Sequence, residues 1–179
     1  MSSPAESPAS PPPYQILTET AEHAAAVEAL YDDVFGAGRF AKTAERLREG
    51  NSPISEACLV AVDDLGLTGV VRFWPLQVGD TGRAALLGPL AVAERRRRNG
   101  VAFRLMEQGI EICAKLGFPA IVLVGDESYY ARAGFVRAEP GRFVMPGPVD
   151  PKRLLVRSLS EPCDISGALS VPPDAMRAS

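Results

Sequence analysis

The sequence holds a single histidine, His23, and three cysteines, Cys58, Cys113 and Cys163, none at CxxC spacing. One histidine leaves no His-rich metal site and makes a serine–histidine hydrolase hard to build. Scattered cysteines in odd number give neither a disulfide framework nor a zinc site, and fit a reducing compartment. No apolar run approaches the roughly 20 residues of a membrane-spanning helix. The basic and apolar regions of a secretory leader are missing from the N-terminus. An excess of positive charge is missing too. Lys and Arg number 19 against 22 Asp and Glu, for a net charge of −3 and a pI of about 5.3. That excludes an overall polycation built for nucleic acid, though not a local basic patch. The expectation is a soluble, cytoplasmic protein that needs no metal.

What is present is globular. With 179 residues, 46% hydrophobic and 23% charged, the chain can form one domain and bury a core without staples. Residues 1–13, rich in Pro and Ser, read as a disordered tail, so the domain is expected over 14–179. A short strand is expected over 14–18, then an amphipathic helix over 21–35 carrying Ala24, Val27, Leu30, Tyr31 and Val34. Thr20 fits its N-cap, with His23 on its surface. A second short helix is expected over 42–49. Runs at 57–62, 68–75 and 84–92, divided by turn residues, predict an antiparallel meander. Gly88-Pro89 inside the third run requires a bulge or splay, because proline has no N–H for the ladder. Leu105, Met106, Ile110, Cys113 and Leu116 form a helical stripe ending at Gly117. The run 119–124 is apolar throughout, as in a strand covered on both faces. A short helix over 128–133, strand pieces at 135–136 and 143–145 and a closing strand at 154–159 follow, with 160–179 extended or coil.

Leu87 to Met106 is the most informative stretch. A strand ends, four arginines follow, and Gly100 stands at the mouth of a helix. The first N–H groups of a helix have no internal partner, and with the helix dipole they attract phosphate. Gly100 permits close backbone approach, and Ala102 leaves the first turn uncrowded. On residue chemistry alone the segment reads as a phosphate-binding loop or as a solvated basic turn. It matches neither the Walker pattern nor GxGxxG.

Arg97-Arg98-Asn99-Gly100-Val101-Ala102 resembles motif A of the GNAT superfamily of N-acetyltransferases: Gln or Arg, two residues, Gly, one residue, then Gly or Ala. Tyr129-Tyr130-Ala131-Arg132-Ala133-Gly134-Phe135 resembles its motif B, at a distance that suits one helix and one strand. Together with LGPLAV, these blocks are similar to a bacterial branch of small acetyltransferases, over roughly residues 14–160. The resemblance implies a single α/β domain with a mixed, mostly antiparallel central sheet, splayed into a V and flanked by helices. Acetyl-CoA would lie in the cleft and an amine acceptor beside it. It also implies that backbone groups of Leu90, Ala91 and Val92 hold the pantetheine arm and polarise the acetyl carbonyl. Those of Arg97, Arg98, Asn99, Gly100, Val101 and Ala102 would cradle the pyrophosphate. Tyr130 matches the tyrosine that protonates the departing thiolate. A phenol with a pKa near 10 carries that proton at neutral pH, and preorganised N–H donors suit a developing oxyanion.

Two departures stand out. The family often has glycine where Arg98 stands, and asparagine where Gly125-Asp126 follows the fifth strand. No general base is obvious. Asp126 and Glu127 are candidates at the end of the central strand, and Glu94 is another that an ion pair would occupy. A lysine-like amine costs about 4–5 kcal/mol to deprotonate at pH 7, an α-amine only about 1 kcal/mol. A weak base therefore favours α-amines. Tyr31, Asp32, Asp33, Phe35, Arg39, Phe40, Arg72 and Trp74 are the candidate acceptor contacts: Asp32 and Asp33 for a cation, Arg72 for a carboxylate. The alternative reading is a non-catalytic acyl-CoA-binding sensor on the same fold. A monomer and a homodimer both remain open.

Overall fold

Alternation along the strands builds two apolar faces on one sheet. The computed structural model describes residues 13–173, so nearly all of the expected tail lies outside the described residues. The strands are β1 (Gln15–Thr18), β2 (Leu59–Asp63), β3 (Gly66–Val78), β4 (Gly82–Val92), β5 (Ala120–Val124), β6 (Val136–Arg137), β7 (Phe143–Val144), β8 (Leu154–Ser158) and β9 (Gly167–Ser170). Their order is β1-β2-β3-β4-β5-β8-β6, with β9 joining the far end of β3 and pairing β7. All pairs in that order are antiparallel except β4 with β5. The helices are α1 (Ala24–Phe35), α2 (Val101–Lys115) and the single turn α3 (Glu127–Tyr130).

Leu59, Ala61, Val71, Phe73, Ala85, Leu87, Ile121 and Leu123 point to one face, where Val101, Leu105, Met106, Ile110 and Cys113 of α2 cover them. Leu116, expected on that stripe, is partly exposed at its end. A Cβ on Gly109 would run into the Phe73 ring, so glycine there lets α2 lie close to the sheet. The opposite face is covered in two patches. Val27, Leu30 and Tyr31 of α1 pack on Val60, Val70 and Ala91. Leu47, Phe143 and Leu169 pack on Leu76, Leu86 and Val122. Between these patches, β3 carries Trp74 and, where the alternation calls for an apolar residue, Arg72.

The sheet opens where β4 and β5 part. They pair only at Ala85–Ile121 and Leu86–Val122. Beyond them β4 continues with β3, while Leu123 and Val124 continue with β8. The expected irregularity at Gly88-Pro89 is present: both oppose Arg72, so β4 bulges.

One local expectation changes and another is met. Residues 42–49 do not form an α-helix. Within this segment, Thr43–Leu47 is a short 3-10 stretch, which extended Lys42 separates from another at Ala37–Ala41. Its apolar residues are too few to hold a longer helix against the sheet. Thr20 caps the first turn as expected, with His23 as its partner: the Thr20 N–H donates to His23 Nδ1 at 2.9 Å.

Candidate functional site

The geometry of β4 sets the site. The N–H of Ala93 donates to the Thr68 carbonyl, next to the pair Gly69–Val92. Alternation along an antiparallel ladder then joins Ala91 to Val70. It turns the main-chain groups of Leu90 and Val92 away from β3, into the open V. Two side chains hold the bulge just before Leu90. Trp74 Nε1 donates to the Gly88 carbonyl at 2.8 Å, and the Tyr31 hydroxyl reaches the Pro89 carbonyl at 3.4 Å. Tyr31 is fully buried, which raises its pKa, and the Arg39 and Arg72 guanidiniums lie over its ring.

On one side of Leu90 lies a groove of about 580 Å³. Of the residues assigned to the cofactor, Leu90, Ala91, Val92, Arg97, Arg98, Gly100, Val101, Ala102 and Tyr130 line it; Asn99 does not. The groove adds Arg132, whose guanidinium lies near the Phe103 and Tyr129 rings. Four arginines and no carboxylate line it, which suits a polyanion. Arg95 and Arg96 are tied to Asp63, at 3.1 and 2.7 Å, which leaves Arg97 and Arg98 for a ligand. Gly100 sits at φ +77° as the N-cap of α2, and Arg98 at φ +66° is the one non-glycine residue with positive φ among those described. Glycine in that place would carry no strain.

On the other side of Leu90 lies a larger cleft of about 760 Å³. Of the candidate acceptor contacts, Tyr31, Phe35, Arg39, Phe40, Arg72 and Trp74 line it, and so does Asp126. Asp32 is not part of its wall and pairs with Arg39 at 3.2 Å. Glu127 lines neither space and is ion-paired with Arg137. Glu94 also lines neither. Arg72 is held by both oxygens of Glu19, at 2.6 and 3.0 Å, and lies 3.6 Å from Glu28. The Glu19 hydrogen bonds raise its pKa. Arg48 and Arg153 line the same cleft and were not expected. Neither belongs to a motif, and only the fold brings them there.

Leu90, Tyr129 and Tyr130 border both spaces, so the two meet there. The Tyr130 ring packs edge-on against Tyr129 and Phe135, with centroids 4.9 and 6.0 Å away. Burial and the neighbouring Tyr129 push its phenol up to about 12, against the pull of Arg153. It stays a proton donor at any physiological pH. A Cβ on Gly125 would collide with this ring. The glycine that departs from the family pattern therefore makes the space Tyr130 occupies. The Cys58 and Cys113 thiols are buried, which raises them to about 11 and about 12 and makes them poor nucleophiles.

No cluster of three or more His, Cys, Asp or Glu able to hold a metal occurs among the described residues. No helix among them is long and apolar enough to cross a membrane.

Comparison with known proteins agrees with this geometry. The family model described as acetyltransferase (GNAT) family matches residues 15–135. The uncharacterized N-acetyltransferase YhbS of Escherichia coli is 34% identical over 122 residues, 67% of this chain and 72% of that protein. A crystal structure of E. coli YhbS in complex with CoA superposes with a TM-score of 0.76 at 29% identity, covering 89% of each chain. A GNAT acetyltransferase of Brucella melitensis in complex with acetyl-CoA shares the fold, with a TM-score of 0.65 at 23% identity over 91% of this chain and 97% of that one.

Proposed function

The chain belongs to the acetyltransferase (GNAT) family and is an N-acetyltransferase, and we propose that acetyl-CoA binds the arginine-lined groove while an amine enters the larger cleft. The observation that carries this reading is the meeting of the two spaces at Leu90 and Tyr130. Acetyl-CoA supplies an activated acetyl thioester. The Leu90 N–H, turned into the V, hydrogen-bonds the acetyl oxygen and strengthens that bond as negative charge develops. Backbone N–H groups from Arg97 to Ala102 and the dipole of α2 hold the pyrophosphate, with Arg97, Arg98 and Arg132 adding positive potential. Tyr130 gives its proton to the thiolate sulfur. Asp126, on the cleft wall, takes the acceptor's proton, directly or through water. Glu127 is held by Arg137 and supports the turn that carries Tyr130. Three free cysteines favour a reducing, cytoplasmic setting.

The test is thiol release from acetyl-CoA with a panel of amines, with mass spectrometry of the acceptor. Transfer that depends on Tyr130 supports the reading. Tight CoA binding with no transfer to any amine would leave the sensor reading in its place.

A further inference from the structure

Three arginines stand on the α1 side of the acceptor cleft, and their charges are compensated unequally. Arg39 meets Glu28 and Asp32, and Arg72 meets Glu19 and Glu28. Arg48 meets one carboxylate, Glu45, through Nη1 at 3.0 Å. Its Nε is buried with no partner among the described residues, as is that of Arg39, so the difference lies in the carboxylates. Burial draws this guanidinium's pKa below its ordinary value. A buried cation with unmet donors is costly unless a ligand completes it.

Its place gives the ligand's chemistry. Nη2 would lie 3.3 Å from a Cβ on Gly88, so the missing side chain lets Arg48 reach the bulge. Gly88 and Pro89 form the bulge that runs directly into Leu90. An anion at Arg48 is therefore only a few bonds from the amine at the acetyl carbon. A fork of N–H donors matches a carboxylate.

We propose that the acceptor is a small amino acid-like molecule whose carboxylate, one or two carbons from the amine, is bound by Arg48. This rests on the acetyltransferase reading of the site. The carboxylate role expected of Arg72 passes to Arg48, because Glu19 already satisfies Arg72.

The experiment compares matched acceptors with the full-length protein and acetyl-CoA: glycine with glycinamide, and β-alanine with β-alaninamide. Counted per unprotonated amine, the wild type is expected to prefer the acids at least tenfold in kcat/KM. In Arg48→Gln the preference collapses toward unity, through a rise of about ten- to a hundredfold in KM for the acids. Arg48→Lys restores part of it. Calorimetry with CoA on each variant reports whether the fold and groove are intact. Equal use of acids and amides by the wild type, or a preference kept in Arg48→Gln, overturns the proposal. If no amine turns over, the transfer reading fails separately, and binding decides this one. N-acetylglycine bound by the CoA complex, and lost in Arg48→Gln, keeps the carboxylate site. Equal binding of N-acetylglycine and N-acetylglycinamide, or of neither, removes it.

Discussion

Tyr130 and Gly125 show how a single position acquires meaning from its neighbours. The tyrosine was legible from its motif. The glycine read only as a departure, because the ring that fills its Cβ space comes from the following helical turn. With its phenol raised to about 12, Tyr130 stays protonated from pH 7 to 10. The pH profile of kcat/KM should therefore rise as the acceptor amine loses its proton, with no falling limb below about pH 10. Tyr130→Phe should lower the whole profile by about a hundredfold or more without moving the rising limb. CoA affinity, read by calorimetry, should change little. Gly125→Ala should displace the ring. It should cost activity out of proportion to any fall in melting temperature. The fate of Arg72 was not legible: its partner Glu19 lies 53 residues away and only pairing of the strands brings it near.

Elements position the chemistry through two devices. The first is the bulge in β4, foreseen from Gly88-Pro89; the side chains that hold it, Trp74 and Tyr31, also line the acceptor cleft. Trp74→Phe leaves the Gly88 carbonyl without its donor. The expected loss is about 1 kcal/mol of stability, read from urea unfolding, together with a lower kcat. The second device is the close seat of α2 on β3. Alanine in place of Gly109 would favour the helix by about 1 kcal/mol. The collision with Phe73 should outweigh this, with overpacking costs of about 1–3 kcal/mol. A lower urea midpoint in Gly109→Ala is the expected result. Long periodic elements such as α1, α2 and the β2–β3–β4 meander were readable because burial repeats along them. The turns at 37–47 and the strand β9 were not, because their few buried residues form no repeating pattern.

At the scale of the whole molecule, a chain of net charge −3 confines a carboxylate-free arginine cluster to one groove. The local field, rather than the net charge, decides what binds. Affinity for CoA should therefore fall as salt rises from 0.05 to about 0.5 M, where screening shortens the reach of the arginines. Affinity that is flat with salt would mean that the phosphates are not held there. The most direct test of the account is calorimetric titration with acetyl-CoA, CoA and ADP, on the wild type and on Gly100→Trp. The indole would block the first turn of α2, where the backbone stands open. The account predicts micromolar acetyl-CoA binding to the wild type and its loss in the variant, with circular dichroism unchanged. No binding at millimolar ligand, or binding that survives in Gly100→Trp, would contradict it.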